Sequence, residues 1–115
     1  MFVFPEKYCI IINMNNNVYS LNYIKAKLSP VFLLHNVKSA VLFGSYAKGV
    51  ANEKSDVDLL VDSNLKGLRF FGLLEDVKEA LNEKDVDLFD VAHIETGSKI
   101  QTEINNTGIK IYERC

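Results

Sequence analysis

Two periods of apolar residues alternate along this chain, and the switches between them mark out its elements. From Ser20, Leu21, Ile24, Leu28 and Phe32 recur at spacings of three and four, which predicts a helix through His35 with Ser20 as its N-cap. Pro30 lies inside that run and removes one backbone hydrogen bond, so a kink or a split is expected there, and Asn36 ends the helix. A first strand is expected at 41–43, halted by Gly44, and a second at 56–61. Beyond the turn marked by Asn64 and Gly67, the residues Leu68, Phe71, Leu74, Val77 and Leu81 form a helical stripe, opposite Glu75, Asp76, Lys78 and Glu79. A third strand at 85–89, a weaker helix at 94–104 and a last strand at 109–112 complete the order. Strands alternating with helices predict a small α/β domain with a mixed sheet of about four strands and helices packed on it.

Residues 1–19 do not share this organisation and are set apart as an N-terminal extension, the domain being 20–115. An apolar patch, Cys9-Ile10-Ile11-Ile12, runs into Asn13-Met14-Asn15-Asn16-Asn17. Either translation begins at Met14, or the segment is an extra strand or arm laid against the domain.

Strand parity carries the chemistry. Residues i and i+2 share a face, so Val57, Leu59 and Val61 point into the core while Asp56, Asp58 and Leu60 point away from it. The third strand repeats the pattern, with Val86 and Leu88 on one side and Asp85, Asp87 and Phe89 on the other. If the two strands are neighbours, Asp87 approaches Asp56 and Asp58, and three carboxylates together raise a pKa or weaken the fold, a penalty that a divalent cation removes. Oxygen-only ligands suit magnesium or manganese, and a pair of such ions can stabilise both the attacking oxygen and a leaving pyrophosphate. Asp87 is then the natural general base. Gly44 allows close backbone approach to a phosphate, Ser45 offers a hydroxyl and an N–H, and Lys48 adds positive charge. Lys54 reads as solvated, Tyr46 as packed on the turn, His35 and His93 as surface or capping residues, and Asp85 and Asp90 as solvated strand ends.

Composition narrows the field. With 115 residues the chain has room for one core and no separate substrate domain, and 48% hydrophobic residues argue against disorder. A formal net charge of −2 disfavours direct nucleic-acid binding, which calls for a basic face. Cys9 and Cys115 form no zinc-ligand spacing, and no apolar run reaches the roughly 20 residues a membrane span needs. A cytoplasmic protein is expected. Phe70 falls off the helical stripe, so self-association, for instance as a homodimer, would give it cover.

The stretch Gly44-Ser45, ten residues from Tyr46 to Ser55, then Asp56-Val57-Asp58 closely resembles the signature of the nucleotidyltransferase superfamily that includes DNA polymerase beta. The similarity is to its shortest branch, the minimal nucleotidyltransferases, and spans about residues 20–114. Leu42-Phe43, Gly49, Ser55 and the closing Ile111-Tyr112-Glu113 also look like that family, and Val86-Asp87-Leu88 matches its third carboxylate strand. Lys48 stands where members often carry arginine, which keeps the charge but loses a two-pronged grip on phosphate. The resemblance implies that Asp56, Asp58 and Asp87 bind magnesium and that Gly44, Ser45 and Lys48 hold ATP. It also implies a partner, a helical HEPN toxin from a neighbouring gene, with this chain as the antitoxin that transfers AMP to a tyrosine of the toxin. Two other functions stay open on the sequence: an antitoxin that masks its partner without chemistry, and a transferase acting on a small molecule.

Overall fold

The structure is a computed structural model and describes residues 18–114. All but Val18 and Tyr19 of the N-terminal extension, and both cysteines, lie outside the described residues. Helix α1 (Leu21–Leu34) begins at Ser20, whose side chain accepts the N–H of Tyr23 at 3.1 Å, as the sequence predicts. It stays unbroken through Pro30, contrary to the expected split. Ala26, whose carbonyl loses its partner to the proline ring, is exposed, so water satisfies the group at little cost. Asn36, with φ of 59°, closes the helix: its own N–H bonds Leu33 and the N–H of Val37 bonds Phe32.

Strand β1 (Ser39–Phe43) leads through Gly44 into the four-residue helix α2 (Ser45–Lys48), then β2 (Val57–Asp62), helix α3 (Leu68–Ala80) and β3 (Val86–Asp90). A 3₁₀ turn (Val91–His93), helix α4 (Lys99–Thr107) and β4 (Ile109–Glu113) follow. The sheet order is β3-β2-β1-β4. β1 runs antiparallel to β2 and β4, while β2 and β3 are parallel, a pairing that needs a crossover and receives it from α3. This is the expected mixed four-stranded α/β fold.

Val57, Leu59 and Val61 are fully buried, in one cluster with Ile24, Leu28 and Phe32 of α1 and Leu73, Val77 and Leu81 from α3 and its C-cap. The expected α3 stripe is rotated. Leu68 is 87% and Phe71 54% exposed, Leu73 is buried, and Phe70 packs against the core. The need for cover inferred for Phe70 therefore falls away. α4 also differs, starting at Lys99 rather than 94, because Ser98 caps it by accepting the Gln101 N–H at 3.1 Å.

Asp90 corrects a further expectation. It is 2% exposed, not solvated, since β3 runs one residue beyond the predicted end and turns Asp90 inward. There it accepts hydrogen bonds from the Ser63 hydroxyl, the Ser63 N–H at 3.2 Å and the Ala92 N–H at 3.0 Å. His35 is the C-cap of α1, and its Nε2 lies 2.7 Å from Asp76 Oδ2 on α3; His93 is exposed at the end of the 3₁₀ turn.

Candidate active site

Two strands and one turn build the site. Ladder pairing sets Asp58 opposite Phe43 of β1 on one side and opposite Asp87 of β3 on the other. Both partners share the face turned away from the helical core, as parity requires. The rings of Phe43 and Phe89 approach across β2 with centroids 6.0 Å apart, so Asp58 stands against an apolar floor. That surrounding sets its chemistry. Burial, then the charge of Asp87 and a hydrogen bond shared with it, and then the charges of Asp56 and Glu103 push the Asp58 carboxyl up to about 6.

The three expected carboxylates are not gathered equally. Asp58 and Asp87 are in register on adjacent strands, whereas exposed Asp56 lies one residue before β2 and acts on Asp58 through its charge. Among the described residues no three acidic, histidine or cysteine side chains close into a ready-made cage for a cation. The expectation of a converged trio is thus met by a pair with an outlying third. Electrostatic repulsion opposes closer approach, and Asp56 lies outside the β2–β3 ladder.

The turn meets the carboxylates directly. Gly44 has φ of 77°, and a Cβ built on it would overlap Asp58 Oδ2, so glycine is required here both by conformation and by space. Its N–H donates to Thr107 Oγ1 at 3.0 Å, and its carbonyl accepts from the Lys48 N–H at 3.0 Å. Ser45 is half-buried at the head of α2, and Lys48 is exposed at its end, as is Lys54 in the following loop. Tyr46 is 8% exposed, packed under the turn as expected, and its hydroxyl has no hydrogen-bond partner among the described residues. Desolvation raises its pKa, an effect that the nearby Tyr19 backbone partly offsets. An apolar cavity of about 310 Å³ lies between α2 and the start of α1, lined by Tyr19, Leu21, Tyr46, Ala47 and Ile109 among others, and it includes none of the three carboxylates.

No pattern in the chain signals the part played by α4. Glu103 and Thr107 are one turn apart on it, and the Thr107 hydroxyl, which donates to the Glu103 carbonyl at 2.8 Å, reaches Gly44 across 63 residues of chain. Their spacing of four is an ordinary helical repeat, and only the tertiary fold brings the Glu103 charge to bear on Asp58 and the Thr107 hydroxyl to Gly44.

The oxygen donor set suits a hard divalent cation. Asp58 and Asp87 offer carboxylate oxygens whose mutual repulsion a cation would relieve, while exposed Asp56 adds its charge from outside the strand pair. The family model described as polymerase beta nucleotidyltransferase matches residues 24–115. The chain belongs to that family. The resemblance carried by Gly44-Ser45 and Asp56-Val57-Asp58 is thereby borne out. A stretch of 62 residues is 42% identical to the protein adenylyltransferase MntA of Thermococcus cleftensis, covering 53% of this chain and 63% of that protein. Another of 43 residues is 49% identical to MJ0435 of Methanocaldococcus jannaschii, provisionally named a protein adenylyltransferase, over 37% of this chain and 46% of that protein. The chain therefore spans about half to just under two thirds of the length of these curated relatives.

Solved structures share the fold. One, a toxin–antitoxin crystal structure with AMP-PNP, superposes with a TM-score of 0.66 at 23% identity, over 78% of this chain and 73% of that one. A second, the tri-AMPylated Shewanella oneidensis HEPN toxin in complex with MNT antitoxin, gives 0.62 at 20% identity, over 82% and 73%.

Proposed function

We propose that this chain is a magnesium-dependent nucleotidyltransferase that moves AMP from ATP to a hydroxyl of a protein partner, a tyrosine of a HEPN-type helical toxin, and so acts as its antitoxin. One observation carries the reading: Asp58, in register with Asp87, lies directly against Gly44 of the Gly-Ser turn. A pair of carboxylates beside a glycine turn suits a cation–polyphosphate complex, and burial with the neighbouring charges already raises the pKa of Asp58. The names of the Thermococcus relative and of the Shewanella assembly support the choice of a protein acceptor.

Asp56, Asp58 and Asp87 would hold magnesium, which when bound supplies positive charge to the polyphosphate and to the departing pyrophosphate. Gly44 leaves room for the polyphosphate, Ser45 donates to it, and Lys48 adds charge from the end of α2. The acceptor oxygen forms a bond to the α-phosphorus while the bond from that phosphorus to the bridging oxygen breaks. Pyrophosphate leaves with the electron pair, and the hydroxyl proton passes to the Asp87 carboxylate. No helix among the described residues is long and apolar enough to cross a membrane, and use of ATP fits the cytoplasm.

The test is to incubate the chain with ATP, magnesium and the toxin encoded by the neighbouring gene, and to weigh the toxin by mass spectrometry. A gain of AMP that disappears with Asp56→Asn plus Asp58→Asn is expected. If the toxin stays unmodified while the double variant still neutralises it in cells, the chain masks its partner and the proposed chemistry is wrong.

A further inference from the structure

The Gly44 N–H is buried, and the hydrogen bond it makes crosses from the Gly-Ser turn to the end of α4. Three contacts define the glycine. Its N–H is held by Thr107 Oγ1, its carbonyl by the Lys48 N–H, and its α-carbon rests against Asp58 Oδ2. Carbonyl and α-carbon contacts belong to the turn and the neighbouring strand, so they move with the site. Thr107 is different, because it is anchored outside both elements: its hydroxyl proton goes to the Glu103 carbonyl, which leaves an oxygen lone pair aimed at Gly44. Gly108 fixes the end of α4 in turn, since a side chain there would strike the Ile104 carbonyl and crowd Val41 of β1.

From this geometry we infer that Thr107 is a positioning residue for the nucleotide: by holding the Gly44 N–H it fixes the Phe43–Gly44 peptide, from which the chain turns into Ser45. The inference rests on the nucleotidyltransferase reading above. It also assigns Gly44 a particular part, in which the glycine gives clearance to Asp58 while its N–H stays with Thr107 and not with the ligand. Without the threonine hydroxyl the Phe43–Gly44 peptide loses the restraint that comes from outside the turn and the neighbouring strand, and the polyphosphate must supply that order on binding.

Binding of AMP-PNP with magnesium to the full chain is to be measured by calorimetry for wild type, Thr107→Val and Thr107→Ser, at a temperature where each is folded by circular dichroism. Valine keeps the branched shape and deletes the acceptor, and a loss of about tenfold in affinity is expected, with serine close to wild type. Wild-type affinity in Thr107→Val, even with a lowered melting temperature, would overturn the inference and leave a purely structural bond. Should the valine variant not fold, amide exchange at Gly44 in the wild type decides. Protection of this amide that is present without nucleotide in the wild type and in Thr107→Ser, with wild-type AMP-PNP affinity in the serine variant, supports the inference, and protection that appears only with AMP-PNP refutes it. Failure of the functional reading is separable, because a chain that binds AMP-PNP yet transfers no AMP leaves this comparison intact.

Discussion

Asp58 carries opposed demands at the scale of a single residue. Its carboxyl is pushed up to about 6 from an ordinary value of 3.8, first by burial and then by Asp87. For an acid with a raised folded-state pKa, the protonated form is favoured by folding. Its stabilising contribution is therefore complete below the unfolded value near 4 and is lost as pH rises through about 6. Without divalent cations the domain should accordingly be more stable at pH 4.5 than at pH 8, with respect to this group, by about 1 kcal/mol once solvent screening is allowed for. Asp58→Asn, which cannot ionise and can donate to Asp87, should gain a similar amount over wild type at pH 8 and lose the dependence between pH 4 and 7. Urea titrations of both proteins in EDTA check this, and an identical pH profile for the two would show that Asp58 is not the source. Gly44 faces the same carboxylate from the other side. Gly44→Ala puts a methyl group into Asp58 Oδ2 on a backbone of positive φ, and should cost about 1–3 kcal/mol.

Elements show why the sequence read well in some places and badly in others. The strands were legible because a period of two leaves a single choice of inner face, and Val57, Leu59 and Val61 are all fully buried as parity demands. Helix α3 was harder. Its sequence offers Leu68, Phe70, Phe71, Leu73 and Leu74 within seven residues, so the apolar stripe can be drawn through two different faces, and only packing on α1 and the sheet selects Phe70, Leu73 and Val77. Leu73→Ala should therefore cost about 2–5 kcal/mol, and Leu68→Ala less than about 0.5 kcal/mol, in chemical denaturation. Equal losses would restore the stripe drawn from sequence. The candidate site divides in the same way. Gly44-Ser45 and Asp56-Val57-Asp58 are near in sequence and carry a fixed spacing, and Asp87 follows from parity once its strand is placed. Glu103 and Thr107 have no such signal. They reach the site because the turn after α4 lies tight against β1, a contact that Gly108 permits by lacking a side chain. Asp90 was misread for a related reason: a carboxylate at a strand end looks solvated until Ser63 and Ala92 are seen to enclose it.

At the scale of the whole molecule, one sheet joins two surfaces with opposite requirements. The face packed by α1 and α3 lowers the free energy of folding, whereas the face bearing Asp58 and Asp87 stores repulsion in the absence of a cation. Folding of the domain and cation binding are then linked, because an ion bound only by the folded chain stabilises it by RT ln(1 + [L]/Kd). At a magnesium concentration ten times the dissociation constant this amounts to about 1.4 kcal/mol, or roughly 6–11 °C in Tm for a domain of this size. The same pair of residues should thus respond with opposite signs in two experiments. Asp58→Asn plus Asp87→Asn should raise Tm in EDTA at pH 8, where repulsion alone acts, and abolish the increase that magnesium gives the wild type. A scan of both proteins with and without magnesium separates the alternatives cleanly. A carboxylate pair that serves only the fold would lower Tm on removal in EDTA and leave the response to magnesium unchanged, whereas a pair shaped for a cation must do the reverse in both.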